Sequence, residues 1–209
     1  CAVLRSVNLV TEEGQRMSLY DPRHPFDFIP DSSLWREGIE RSRHVHVSIM
    51  NWARYALRDA VAAGRSTSTD LHDWDGVADY HKDFAYGADY VFVSAAALRD
   101  ESGVVADVFS RGRAQFVVVM AGSEGARVWR RSDELPLRIS PISIPGRPVV
   151  DSNGAGDSFV AAFLCHYLDH DDIFEAARAG AVGGAWACGT LGTHTSFVDT
   201  ETLERLLAR

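Results

Sequence analysis

The sequence predicts an α/β fold with a mostly parallel sheet flanked by helices, and three observations predict it. Short apolar runs such as Tyr90-Val91-Phe92-Val93 and Phe116-Val117-Val118-Val119-Met120 read as strands covered on both faces. Segments of helical period lie between the extended runs, the alternation that parallel strands require. At 209 residues and 46% hydrophobic content, the chain is long and apolar enough to bury a substantial core.

From Ala2 to Tyr20 the chain reads as two extended segments about a Glu12-Glu13-Gly14 turn, with Leu9 and Val10 before it and Met17, Leu19 and Tyr20 after it; this predicts a hairpin. Pro22, Pro25 and Pro30 make Asp21 to Asp31 a loop. His44-Val45-His46-Val47-Ser48-Ile49 alternates as a strand, and 52–63 carries helical spacing that Gly64 stops. Thr67 to Leu71 extends again, and between the two apolar strands Gly103 to Arg111 is predicted helical. Ala121-Gly122-Ser123-Glu124-Gly125 is a tight turn into another extended segment through Trp129.

Phe159-Val160-Ala161-Ala162-Phe163-Leu164 is apolar on nearly every side and predicts a buried helix. Ile173 to Cys188 predicts a second helix, built almost wholly of small residues. Its glycines 180, 183 and 184 each cost about 1 kcal/mol against alanine, so tight packing on the preceding helix, or a flat adenine nearby, has to compensate. Asp199 or Thr200 caps a last short helix through Leu203, Leu206 and Leu207.

A net charge of −8 with scattered arginines leaves no basic field for nucleic acid or an anionic membrane, so the expected partner is a small molecule. Cys1, Cys165 and Cys188 are too few and too far apart for a disulfide framework or a zinc site, which fits a reducing cytoplasm. Apolar runs stay below the roughly 18 residues of a membrane span.

The most informative stretch is Val149-Val150-Asp151-Ser152-Asn153-Gly154-Ala155-Gly156-Asp157-Ser158-Phe159. A helix starting near Ala155 presents unpaired N–H groups, and flanking glycines let phosphate oxygens approach the backbone. Asp157 stands beside that anion hole, where it can accept the proton of an attacking hydroxyl. The plain alternative is a Gly-rich turn in which Asp157 caps the helix and answers its dipole. No Gly-x-x-x-x-Gly-Lys-Ser/Thr occurs, and no dinucleotide-binding Gly-x-Gly-x-x-Gly unit is present.

Read as Asp-Ser-x-Gly-Ala-Gly-Asp-Ser-Phe, this segment closely resembles the C-terminal signature of the ribokinase-like (PfkB) carbohydrate kinases, with Ser152 where threonine is usual. The resemblance implies a ribokinase-like fold, with ATP and Mg2+ as donor system and a sugar as acceptor. Gly154, Ala155 and Gly156 would form the anion hole, and Asp157 would be the catalytic base. Gly122, Ser123 and Gly125 resemble the family's phosphate-side turn, and Gly180 would border the adenine. A monovalent cation such as K+ would implicate Asp151 and Asn153. Residues 1–25 would be the remnant of a β lid, with a homodimer through it, and residues 26–209 the kinase core. The chain opens on Cys1 and reads as the C-terminal two-thirds or so of such a kinase. The expectation is that the first βα units and a sugar-recognising Gly-Gly-Asn segment are missing, leaving these 209 residues nearly inactive.

The pattern breaks in two places. Where the family carries Asn-x-x-Glu, which organises magnesium through water, the chain reads Ser94-Ala95-Ala96-Ala97; Asp100 and Glu101 follow one turn later and read as solvent-facing charges. Where many members read Asp-x-Asn-x-Arg, it reads Asp70-Leu71-His72-Asp73-Trp74. His72, Asp73 and Asp75 could bind a metal but read as plain surface, as do His44 and His46. Two other readings stay open: a degenerate kinase acting as a binding regulator, and a nucleoside kinase on the same fold.

Overall fold

The computed structural model describes residues 5–10, 16–21, 23, 25–193 and 195–208. In chain order its elements are β1 (Arg5–Val10), β2 (Arg16–Asp21), α1 (Ser33–Arg41), β3 (His44–Ser48), α2 (Ala53–Ala62), β4 (Ser66–Asp70), α3 (Lys82–Gly87), β5 (Tyr90–Ser94), α4 (Glu101–Arg111), β6 (Phe116–Met120), β7 (Ala126–Arg130), β8 (Leu137–Ile139), α5 (Ala155–His170), α6 (Ile173–Ala187) and α7 (Thr200–Leu207). The main sheet runs β3-β4-β5-β6-β7-β8. Its first three pairings are parallel and its last two antiparallel. This is the mostly parallel α/β architecture the sequence predicts.

Strand alternation builds the two cores. Val91 and Val93 of β5, with Val117 and Val119 of β6, face α2, α3 and α4, where Leu57, Phe84, Val105 and Val108 pack. Tyr90, Phe92, Phe116 and Val118 face the other way, onto Phe159, Phe163 and Ala177 of α5 and α6. β4 is polar yet buried from Thr67 to Asp70. Its polar atoms are answered: Thr67 Oγ1 and Asp89 Oδ2 lie 2.9 Å apart, Thr69 Oγ1 donates to Val47 O, and Ser68 Oγ meets His44 and His46.

The small residues of α6 are explained by α5. A Cβ on Gly180 would lie 2.8 Å from the Phe159 ring, and one on Gly183 would lie 2.7 Å from both Ala162 Cβ and Ser158 O. The two backbones therefore approach as only glycine allows, and the burial gained offsets the poor helix propensity. Caps set the helix ends: Asp172 accepts from Phe174 N and Glu175 N, and Asp199 accepts from Thr202 N.

β1 and β2 form a separate antiparallel hairpin. Its predicted Glu12-Glu13-Gly14 turn lies outside the described residues, as does Cys1. Tyr20 Oη donates to Met50 Sδ at 3.1 Å, and Asn51 Nδ2 donates to Phe26 O. Arg54 sits 5.6–5.7 Å from the rings of Phe26, Tyr80 and Phe84 and bonds Asp83, so the segment after the hairpin is tied to the core. The sequence reading does not anticipate α1, α3 or β8. α3 and β8 are short and carry a weak periodic signal, whereas α1 is amphipathic but buries only Ile39.

Candidate active site

The site is assembled at the carboxyl ends of the parallel strands, where open α/β sheets bind ligands. Val150 N and Asp151 N both donate to Cys188 O, which fixes the approach to α5. Gly154 takes the left-handed conformation at φ 76°, and a Cβ there would lie 3.1–3.2 Å from Thr193. Helix α5 then begins at Ala155. Its N-cap is Gly154, and no side chain caps it, so Asp157 is not the capping group. The first-turn N–H groups of Ala155, Gly156 and Asp157 point out of the helix end, although Ala155 N already reaches Ser152 O at 3.2 Å. Asp157 is exposed in that same turn.

Asp151 braces the loop. Its Oδ1 accepts from Asn153 N and Nδ2, both at 2.9 Å, and its Oδ2 accepts from Gly192 N at 2.9 Å. These bonds, led by the Asn153 and Gly192 amides, hold its carboxyl below the ordinary carboxylate range.

Neighbouring strands bring further groups to Asp157. A Cβ on Gly156 would lie 3.8 Å from Met120 Cε, so the anion loop sits over the end of β6, and Gly122 to Gly125 follow directly. Gly122 has φ 55° with open space around it, and Ser123 is exposed. Gly125 has φ 86° and faces the backbone of Ile139. Asp157 also acts electrostatically on His46 of β3 and on Asp70 at the end of β4. Desolvation lowers His46 to about 4, with the charge of Asp157 opposing it, and desolvation raises Asp70. A cleft of about 340 Å³ opens beside Asp157, lined among others by Ser158, Ala161, Thr193, Phe197 and Leu203.

Other expected residues stand elsewhere. Gly180 is buried against Phe159, which favours packing over an adenine contact as the reason for that glycine. Glu101 is not a solvent-facing charge: it holds Arg127 through three contacts of 2.6–2.9 Å and accepts from Trp129 Nε1. Asp100 caps α4 through Gly103 N. Asp75 accepts from Val77 N and Ala78 N, and among the described residues no group of three or more His, Cys, Asp or Glu is placed to hold a metal ion. His46 is an exposed residue of β3, as the sequence reading has it, and His72 is half-exposed with Nδ1 3.8 Å from Asp70 Oδ2. The signal for His72 was its place just beyond the carboxyl end of β4.

The model of the pfkB family carbohydrate kinases matches residues 46–201. The chain belongs to that family. This pfkB chain is 37% identical over 202 residues to the acarbose 7(IV)-phosphotransferase of an Actinoplanes species, covering 96% of itself and 67% of that protein. It is 32% identical over 165 residues to the fructoselysine 6-kinase of Escherichia coli, covering 73% of itself but only 55% of that kinase. A solved structure named as a microbiome-derived acarbose kinase superposes with a TM-score of 0.93 at 97% identity, covering 99% of this chain and 69% of that one. Ribokinase of Arabidopsis thaliana, at 19% identity and a TM-score of 0.79, shares the fold, covering 98% of this chain and 69% of its own. Among the described residues no helix is long and apolar enough to cross a membrane.

Proposed function

We propose that the protein is an ATP-dependent carbohydrate kinase that transfers the γ-phosphoryl group to a sugar hydroxyl, with acarbose as the acceptor its relatives favour. One observation carries this reading: an exposed carboxylate, Asp157, in the uncapped first turn of a buried helix, behind a left-handed Gly154. Asp157 takes the proton of the acceptor hydroxyl as its oxygen bonds to phosphorus and the bond to the departing ADP oxygen breaks. The N–H groups of Gly154, Ala155, Gly156 and Asp157 stabilise the charge on the transferring group. Gly122, Ser123 and Gly125 line the nucleotide phosphates. Gly180 acts through packing, by setting α6 against Phe159.

Bound Mg2+ neutralises phosphate oxygens. No described acidic cluster is placed to hold it alone, so the nucleotide phosphates and water would supply most of its ligands. A monovalent cation such as K+ would take the charged carboxylate of Asp151 and the backbone near Asn153. The hairpin within residues 1–25 would close over the acceptor as a lid on the core of residues 26–209. Val7, Leu9 and Leu19, each more than half exposed, would join two lids in a dimer. The regulator and nucleoside-kinase readings are not favoured: the relatives named above are sugar kinases, and the nucleoside kinases of this fold match at only 16–19% identity.

The test is Asp157→Asn in the full-length protein, assayed for ADP release with acarbose and other sugars. Turnover is expected to fall by about 10²-fold or more, the scale of a lost general base. Unchanged turnover rejects the assignment.

A further inference from the structure

We propose that Arg147 is a positioning residue for the transfer: it fastens the segment that enters the anion loop to the end of α6 and to the stretch beyond it, and so fixes where the loop amides meet the phosphoryl group. This inference rests on the kinase reading above.

The fastening starts from α6. A helix leaves its last carbonyls without intrahelical partners, and residues 147–151 reach two carbonyls at this end. Arg147 Nε donates to Trp186 O at 2.8 Å, and Val150 N and Asp151 N donate to Cys188 O at 2.8 and 3.2 Å. A cation at a helix C-terminus also answers the helix dipole. The guanidinium carbon lies 4.1 Å from the centre of the Trp186 ring, and Arg147 Nη2 donates to Ser196 Oγ at 3.0 Å. Trp186 Nε1 donates to the same oxygen at 3.1 Å, so Ser196 is held by both side chains. The sequence leaves room for this arrangement at Gly189. A Cβ there would lie 2.2 Å from Arg147 Cγ and 2.4 Å from its Nε, so the arginine stem crosses the end of α6 where glycine lets it pass.

Contacts carry the effect to the base. Ser196 and Thr193 line the same cleft as Asp157. A Cβ on Gly154 would lie 3.1 Å from Thr193 O, so the stretch carrying Gly192, Thr193 and Ser196 abuts the residue from which α5 starts. Asp151 Oδ2 accepts from Gly192 N in that stretch, and Arg147 grips it at Ser196, four residues on. Without Arg147 the Ser196 end loses its link to the entering segment. Gly154 and the first-turn amides of α5 can then drift from where the transferring group needs them, and a misplacement of about 1 Å can cost about 10²-fold in rate. In the step itself the acceptor proton goes to Asp157, the new O–P bond forms and ADP leaves; Arg147 forms no bond and moves no proton.

The experiment compares Arg147→Ala, Gly189→Ala, the double variant and Asp157→Asn in the full-length protein, with kcat, KM for ATP and acarbose, Tm, and amide hydrogen exchange. Arg147→Ala is expected to lower kcat by about 10- to 10²-fold with smaller changes in either KM. Exchange should quicken at Asn153 and Gly192, while β5 and β6 keep their protection. Gly189→Ala should slow the wild type by displacing the arginine stem, yet add nothing to Arg147→Ala, where that stem is gone. Equal kcat in Arg147→Ala and wild type, or additive losses in the double variant, would overturn the proposal. Faster exchange throughout the sheet with a matching fall in Tm would overturn it too, because Arg147 would then only support the fold. Asp157→Asn separates the two readings: if it abolishes turnover while Arg147→Ala is fully active, only the role of Arg147 fails, and if Asp157→Asn is itself fully active, the kinase reading of the site fails.

Discussion

Alanine at Gly125 probes whether the turn after β6 is as constrained as its geometry demands. The residue sits at φ 86° and ψ −136°, a region essentially restricted to glycine, where another residue costs about 1–3 kcal/mol. The added Cβ would lie 2.0 Å from Ile139 O, 2.9 Å from Pro141 N and 3.0 Å from Ser140 C. All three are backbone atoms, so no rotamer change relieves the overlap, and β8 or the turn has to shift. Strain alone, at about 2–4 °C of Tm per kcal/mol for a chain of this size, lowers Tm by about 2–12 °C. Gly122→Ala is the control: φ is 55°, but nothing lies within 4 Å of its Cβ, so it carries strain without overlap. Thermal denaturation should rank wild type above Gly122→Ala above Gly125→Ala, and KM for ATP should rise most in Gly125→Ala. A Gly125→Ala protein that melts with the wild type would refute the reasoning.

Two further outcomes follow from part-buried groups away from the anion loop. Desolvation holds His44 at about 4 against 6.5 for a free ring, with its nitrogens 2.9 and 2.7 Å from Ser66 and Ser68. Above pH 6.5 the ring is neutral in both states; between 6.5 and about 4 the unfolded chain binds a proton that the folded chain refuses, so stability falls with falling pH across that window and the fall ends near 4. His44→Gln should therefore melt with a shallower pH dependence over that range, and parallel curves would contradict the account. Glu101→Gln breaks a part-buried pair with Arg127 and should cost about 1–3 kcal/mol in denaturant titrations while leaving the Mg2+ dependence of turnover unchanged. A raised Mg2+ requirement would show that Glu101 organises metal after all.

The helices and strands that hold the anion loop were legible because their physics is local. Runs such as Phe116–Met120 and the apolar Phe159–Leu164 declare burial directly, and the small residues of 173–188 signal close packing, which Phe159 and Ala162 supply. Gly154, Gly156 and Asp157 stood out because tiny residues and one acid at a helix start leave backbone N–H groups open to an anion. What stayed hidden depends on pairing between distant segments. Glu101 looks like a surface charge until Arg127 and Trp129 arrive from β7. His72 looks solvated until the burial of Asp70 gives its ring a partner. α1 goes unread although its apolar residues recur with helical period; it buries only Ile39.

The carboxylate of Asp151 ties two segments about forty residues apart in the sequence, bonding Asn153 on one side and Gly192 on the other. Damage to the stretch around Gly192 should therefore masquerade as a chemical defect, slowing the reaction without touching any reactant. A screen for inactive variants would gather hits there, and mapping them by distance to substrate would misassign them; this tether explains why they belong with the anion loop.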